Sequence, residues 1–554
     1  MIAALGESKR RRPATHSAGR LALAAVVLAV LFSAAIRIRL ADTPFERDEG
    51  EYAYAGQLVL QGVPPYELAY NMKFPGVYYA YAAAFAVFGE TPRGAHLGLL
   101  VINAATTLFV LLLGRRLLGD FAGAFAACAF VLLSLDRFVM GIFAHATHFV
   151  ALPVTAALWL LLRSGLSASG RSALAAGALL GLAVLMKQHA FVYLPFAAAL
   201  VAWQAPLRSA DGRRRAASRV AALAAGAALP FALLLVLFAF QGVLGAFWFW
   251  TFGYASEYVS EIAFSGAPSR FLRTLEKISR ADRALWIAAG LGFVALWLPG
   301  SSREARVAIG GLLCASLLAV VPGYYFREHY FIVVLPAVAL LIGVAASAAE
   351  RALAARASAN AARIAVAVAG LALASACLIE QRDFLFRWSP RELSRTHYGT
   401  NPFVESAEIA RYIRERTSAD DRIAVLGSEP QIYFHADRRS ATGYIYMYPL
   451  LERHALTATM QDEMIRQVIE AHPAYLVFVS IRSSWQSLPN ADQRVLKWSQ
   501  RYAAACYDLV GIADIHSPNE TTFVWDEAVK GYQPRSQSLI YTLRRKSDAP
   551  CSAS

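Results

Sequence analysis

Apolar stretches separated by short arginine-bearing turns run through roughly the first 380 positions, after which polar and apolar residues mix as in an aqueous domain. The approximate apolar stretches are 21-40, 95-113, 121-135, 147-163, 173-186, 190-204, 217-239, 284-299, 306-322, 330-348 and 362-379, about eleven candidate spans. Lys9-Arg10-Arg11-Arg12 and Arg20 precede Leu21 to Ile36, and because so many spans follow, this reads as a retained first helix with a cytoplasmic basic end, not a cleaved signal. Residues 41-93 then form an exported loop. Within it Gly76 to Phe88 is apolar but well short of the roughly 20 residues a crossing needs, so it is expected to lie in the interface, where Tyr78, Tyr79 and Tyr81 suit it.

Positive charge fixes the orientation. Arg115-Arg116, Arg163 with Arg171, Arg213-Arg214-Arg215, Arg303 with Arg306, and Arg351 with Arg356 and Arg363 mark successive cytoplasmic turns. An odd span count sends the C-terminus outside. The expected organisation is a basic cytoplasmic N-terminus (1-20), a transmembrane domain (21-380) carrying the exported loop 41-93, and a C-terminal periplasmic domain (381-554). In that tail Phe403 to Arg416 reads as a helix started by Asn401-Pro402. Arg422 to Leu426, Tyr475 to Val479, Thr522 to Trp525 and Ile540 to Leu543 read as strands, hence a small α/β domain. Gln241 to Arg283, with Phe247-Trp248-Phe249-Trp250 and a mixed-charge helical pattern from Ser269, reads as a second exported piece, an interfacial helix or lid.

Composition agrees with a polytopic α-helical membrane protein: 554 residues, 57% hydrophobic, 17% charged, mean hydropathy +0.42. The net charge of +14 resides in the turns, where topology explains it without a nucleic-acid partner. Alanine-rich spans with arginine favoured over lysine point to a bacterial plasma membrane. The five cysteines show no metal-ligating spacing; Cys506 and Cys551 both fall in the exported tail, where they either pair or stay apart.

The chemistry gathers in the first loop. Asp48, Glu49 and Glu51 open a helical pattern from Tyr52 to Leu60, which is either a capped, solvated surface helix or the wall of a cavity. Lys73-Phe74-Pro75-Gly76 places a cation at the start of the interfacial helix on the same boundary. Tyr324-Tyr325-Phe326-Arg327-Glu328-His329-Tyr330 returns to that face before the tenth span, as an interface belt or as a phosphate grip through Arg327 and His329. Lys187 lies between two closely spaced spans, as a snorkelling lysine or a further cation.

Together Asp48-Glu49 after the first span, Lys73-Phe74-Pro75-Gly76, Gly181-Leu-Ala-Val-Leu-Met-Lys187-Gln188 and Arg327-Glu-His329-Tyr330 leading to Pro336 resemble the GT-C membrane glycosyltransferases. The nearest group is the bacterial relatives of protein mannosyltransferases, with the lipid A aminoarabinose transferases. The resemblance covers about residues 20-380; Asp421-Arg-Ile-Ala-Val-Leu-Gly427 and Pro430-Gln-Ile-Tyr433 are similar to tails of other members. It implies transfer of a sugar, with inversion, from a polyprenyl-phosphate donor to a cell-envelope glycan, lipid or protein on the exported face.

A phosphate leaving group asks for cations, hence Lys73, Arg327 and His329 with Tyr330 beside them. The acceptor hydroxyl asks for a carboxylate base, Asp48, with Glu49 orienting it, binding a metal or pointing away. Glu51, His148 and Lys187 are expected substrate contacts. Some members hold a divalent ion on loop carboxylates, so Mg or Mn on Asp48 and Glu49 is one expectation and metal-free chemistry the other. Where many relatives carry a second acidic residue, this chain has Asp136 displaced and His145-Ala-Thr-His148 following. A transporter of lipid-linked sugars and a non-catalytic envelope-assembly protein are the competing readings.

Overall fold

The computed structural model describes residues 16-164, 170-259, 264-486 and 491-546. The basic segment Lys9-Arg10-Arg11-Arg12 and Cys551 lie outside them. Alanine- and leucine-rich sequence, whose unbranched side chains lose little freedom in a helix, gives α1 (His16–Arg39), α2 (Arg47–Leu60), α3 (Gly76–Phe88), α4 (Pro92–Leu118), α5 (Asp120–Leu133), α6 (Ala146–Ser164), α7 (Gly170–Met186), α8 (Tyr193–Trp203) and α9 (Ala210–Gln241). After α10 (Leu244–Trp248), a π-helical turn and α11 (Ala255–Val259) comes the amphipathic α12 (Ala267–Ser279). It turns Phe271 onto Phe326 and Phe331 and pairs Lys277 with Glu328. Then α13 (Arg283–Trp297), α14 (Arg303–Ala319), α15 (Leu335–Ala354) and α16 (Ala359–Glu380) complete the bundle.

Every apolar stretch read from the sequence is therefore helical. Among the described residues six helices are long and apolar enough to cross a membrane, and shorter apolar helices pack with them. The chain is a multi-pass membrane protein. Small residues let helices meet backbone to backbone: a Cβ on Gly177 of α7 would fall 2.0 Å from the Leu223 carbonyl of α9, and one on Gly226 of α9 equally close to Leu174. The arginine-bearing turns gather at one end, where Arg116 pairs with Glu304 and Arg303 lies over Trp203. Serine side chains cap the helices that begin there, Ser209 for α9, Ser302 for α14 and Ser358 for α16.

At the other end sits the sheet domain: α17 (Pro390–Tyr398), α18 (Phe403–Arg414), β1 (Arg422–Leu426), α19 (Gln431–Ala436), β2 (Arg439–Ser440), α20 (Thr457–Ala471), β3 (Tyr475–Ser480), α21 (Arg482–Trp485), α22 (Arg494–Cys506), β4 (Tyr507–Ser517), β5 (Glu520–Trp525) and β6 (Leu539–Arg545). The strand order is β2-β1-β3-β6-β4-β5, with β2, β1 and β3 parallel and the rest antiparallel. The expected helix and strands are present. The long β4 is new; Asp508, Gly511 and Asp514 break its apolar alternation, and its ladder with β6 shifts register between Leu509 and Gly511, where Trp525 of β5 lies over the glycine. Cys506 is buried at the end of α22.

This domain is fused to the first loop. Phe45, Tyr54, Tyr78 and Phe85 share one apolar core with Ile423, Tyr433 and Val477, and a Cβ on Gly50 would meet Gln431 of α19 at 2.9 Å. The loop is thus a floor on which the sheet domain rests.

Candidate active site

The N-terminus of α2 is built by a capping box. Glu46 accepts from the Glu49 amide at 2.9 Å, and Glu49 Oε2 accepts from the Glu46 amide at 3.4 Å. This decides where Glu49 goes. Its other oxygen accepts from the Ala144 amide at 2.6 Å and meets His96 Nε2 at 2.9 Å, on the far side of the helix from Lys73. Of the roles open to Glu49, orienting Asp48, binding a metal or pointing away, the structure shows the last: adjacent residues on a helix diverge, and Glu49 is consumed in closing the cap and tying the loop to α4.

One turn of α2 presents Asp48 and Glu51 instead. Lys73 Nζ donates to Asp48 Oδ1 at 2.8 Å and to Glu51 Oε2 at 2.6 Å, and Tyr78 Oη donates to Glu51 Oε1 at 2.6 Å. The ammonium lies 4.6 Å from the Tyr52 ring centroid and 5.7 Å from that of Tyr446. Burial alone would raise the Asp48 carboxyl, but Lys73, then His329 and His145, hold it far below the usual carboxylate range. Burial opposes the charge on Lys73, yet Asp48 and Glu51 keep it firmly protonated. Glu51, fully buried, is raised by burial more than Lys73 lowers it.

Gly76 explains how a second cation arrives. A Cβ there would lie 2.5 Å from the Leu185 carbonyl, so the glycine lets the start of α3 press against the end of α7. Gln188 Nε2 then donates to the Met72 carbonyl at 2.7 Å, and Lys187 is brought beside the Lys73 loop. Lys187 Nζ lies 3.8 Å from the Tyr330 ring centroid. Burial, partly offset by Asp48, pushes its pKa down to about 7. Arg327 is exposed at the rim, its guanidinium 5.6 Å from the Tyr325 ring.

His329 is buried with Nε2 4.0 Å from Asp48 Oδ2, and its ring stacks on His145 at 4.0 Å and 15°. His148, one turn into α6, is buried near Arg37 and His145 and does not join the Asp48 cluster. Asp136 is likewise remote; it accepts from the Phe138 and Val139 amides and neighbours the buried Asp282.

Sequence reasoning missed three contributors. Of the two histidines in His145-Ala-Thr-His148 the sequence singles out His148, whereas the fold puts His145 beside His329 and Asp48. Arg47 donates to the Ser428 carbonyl and to Glu429, each at 2.6 Å, so the residue before Asp48 is anchored by the sheet domain. Tyr446 Oη donates to the Arg47 carbonyl at 2.9 Å and lies 3.5 Å from Asp48 Oδ1. Its signal was the alternating aromatic run Tyr444-Ile445-Tyr446-Met447-Tyr448, which has no meaning without its partner loop.

A family model described as dolichyl-phosphate-mannose-protein mannosyltransferase matches residues 72-240, which hold Lys73 and Lys187. No curated protein matches the chain by sequence. Among solved structures, ArnT from Cupriavidus metallidurans bound to undecaprenyl phosphate is similar at 17% identity and TM-score 0.58, over 94% of this chain and 100% of that one. The Archaeoglobus fulgidus oligosaccharyltransferase tethered to an acceptor peptide is similar at 15% identity and TM-score 0.53, over 92% of this chain and 74% of that one. The archaeal oligosaccharyltransferase AglB from the same organism, in complex with an inhibitory peptide and a dolichol phosphate, is similar at 12% identity and TM-score 0.50, over 93% and 75%. This chain has the GT-C membrane fold.

Proposed function

We propose that the protein is a glycosyltransferase that moves a sugar from a polyprenyl-phosphate donor to a cell-envelope acceptor on the exported face of a bacterial plasma membrane. One observation carries the reading: Asp48, Lys73 and Lys187 converge between the apolar bundle and the sheet domain. The lipid-phosphate ligands named for two structures of the same fold support it. With the arginine-bearing turns cytoplasmic, the N-terminus is inside and the domain 381-554 outside, as roof of the site.

Each group has a task. An ammonium has three donors, and Lys73 commits two to Asp48 and Glu51, leaving the third for a phosphate oxygen. Lys187 and Arg327 add charge around the same phosphate. As the acceptor hydroxyl oxygen attacks the anomeric carbon, the bond from that carbon to the phosphate oxygen breaks. Its electron pair leaves with the polyprenyl phosphate, stabilised by these cations, and the hydroxyl proton passes to Asp48. Asp48 is a weak base while Lys73 holds it. A phosphate that draws on the same ammonium loosens that hold, which couples donor binding to base strength. Attack from the face opposite the phosphate gives inversion.

The test is mass spectrometry of polyprenyl-phosphate sugars in membranes of a deletion strain. One lipid-linked monosaccharide should accumulate, and complementation should clear it; an unchanged lipid pool would sink the reading.

Lys187 supplies a pH signature. Its cation is present below about 7 and lost above it. The affinity of wild type for undecaprenyl phosphate should exceed that of Lys187→Met by about tenfold at pH below that value, as for one charge-assisted contact, and the ratio should fall toward one as pH rises through it. A ratio independent of pH would remove Lys187 from the phosphate site.

A further inference from the structure

At the end of the bundle that carries the sheet domain, away from the Asp48 cluster, two buried carboxyl groups meet. Asp136 lies in the turn after α5 and Asp282 at the start of α13, within hydrogen-bond reach of one another. Each has one oxygen satisfied: Asp136 Oδ1 accepts from the Phe138 and Val139 amides at 2.6 and 2.9 Å, and Asp282 Oδ1 accepts from Gln381 Nε2 at 2.8 Å. Oδ2 of each is buried and meets no donor among the described residues. Two ionised carboxylates do not stay in contact in such a place, since each charge adds to the cost of burying the other. One proton between them removes a charge and supplies the missing donor, the protonated group donating to its ionised neighbour.

We propose that Asp136 and Asp282 share one proton and form an acid-held latch, which joins the turn after α5 to α13 and to the segment that enters the sheet domain. Gln381 completes it: while its Nε2 holds Asp282, its Oε1 accepts from the Arg137 amide at 3.0 Å. The same turn runs on to Ala144, whose amide donates to Glu49 at 2.6 Å, so the latch bears on the loop that carries Asp48. Asp136 and Asp282 act on that loop through the turn, as positioning residues.

The groups around the pair set its pH window. On the turn itself, Arg137 favours the ionised form of Asp136, but by less than Asp282 disfavours it. The Cys377 thiol of α16 lies beside Asp282, and Arg283, the next residue, is exposed. Arg37 of α1 donates to the Ser134 and Gly141 carbonyls at 2.7 and 2.8 Å, on either side of Asp136. His397 of α17 meets the Arg137 carbonyl through Nε2 at 2.7 Å, and burial lowers its pKa, so it is neutral where the pair titrates. Burial pushes Asp282 up to about 7, against about 4 for an ordinary aspartate. The folded chain thus keeps a proton that the unfolded chain has lost. The stability this contributes is present at acid pH and disappears as pH rises through about 7.

The experiment uses full-length protein carrying carbon-13 in its aspartate carboxyl groups, in a detergent without carbonyl groups. Infrared difference spectra are recorded between about pH 5.5 and about pH 8.5, on either side of the expected transition. The label separates an aspartic acid band from that of a protonated glutamate such as Glu51. The expected result is one protonated aspartate per chain at the acid end, lost as pH passes about 7 and absent from Asp136→Asn and from Asp282→Asn. An amide offers an N–H where the shared proton lay, so both variants should stay latched at every pH. Their thermal midpoints should lie above wild type at the alkaline end and draw level with it at the acid end. Absence of the titrating band, its persistence in both variants, or midpoints below wild type at the alkaline end would each overturn the latch. So would failure of both variants to fold, because an amide should replace the proton. No sugar or lipid donor enters the measurement, so its failure leaves the transferase reading standing.

Discussion

Asp48→Asn should lower glycosyl transfer by about a thousandfold, within the range for loss of a general base, while the protein keeps its fold. The two side chains are nearly the same size, so packing around α2 is unchanged. Lys73 loses one carboxylate but retains Glu51 at 2.6 Å, so no buried cation is stranded. The amide cannot take the acceptor proton, and Asp48 is the carboxylate of this cluster whose oxygen is partly open, its side chain 29% exposed against 0% for Glu51. Donor binding should hold or tighten, because Lys73 has one competitor fewer for the phosphate. The loss should therefore fall on kcat, and the deletion strain complemented with this variant should still accumulate the lipid-linked sugar. Retention of more than about a tenth of wild-type turnover would remove Asp48 as the base and leave it only a partner of Lys73.

The helical membrane fold was legible because the length and composition of an apolar run are local properties. Gly76–Phe88 is helical as its apolar run predicts, and the strands with clean apolar runs were seen, whereas β4, interrupted by Asp508, Gly511 and Asp514, was not. Within the site, Lys73 and Asp48 were found because each sits in a run whose composition is odd for a membrane boundary. Their mutual distance depends on the loop's path, which the sheet domain fixes through Arg47 to Glu429 and through the Tyr70 amide on the Gly443 carbonyl at 2.7 Å. Those contacts span more than 370 positions, and no local pattern carries them. Glu49 stayed open between orienting Asp48, binding a metal and pointing away for a related reason: a capping box and a catalytic dyad look alike until His96 and the Ala144 amide are in place.

Lys73 separates structural from catalytic charge. Lys73→Met leaves Glu51, wholly buried, with only the Tyr78 hydroxyl, and breaking such a pair costs about 3 kcal/mol where the carboxylate must stay ionised. The protein can escape part of that cost by protonating Glu51, whose pKa burial already raises and which the missing cation no longer restrains. The folded variant then binds a proton that the unfolded chain lacks above its ordinary carboxylate pKa. Its stability is accordingly greatest at acid pH and falls as pH rises through the raised value. Thermal unfolding at about pH 5 and pH 8 should show a deficit that widens toward pH 8, whereas Lys73→Met/Glu51→Gln, with no charge left to bury, should be near wild type at both. Turnover should behave differently: removing the cation that meets the leaving phosphate costs about 10²–10³-fold, and the second substitution restores none of it. If the double variant regained transfer together with stability, Lys73 would be a structural counter-ion for Glu51, and the leaving group would depend on Lys187 and Arg327 alone.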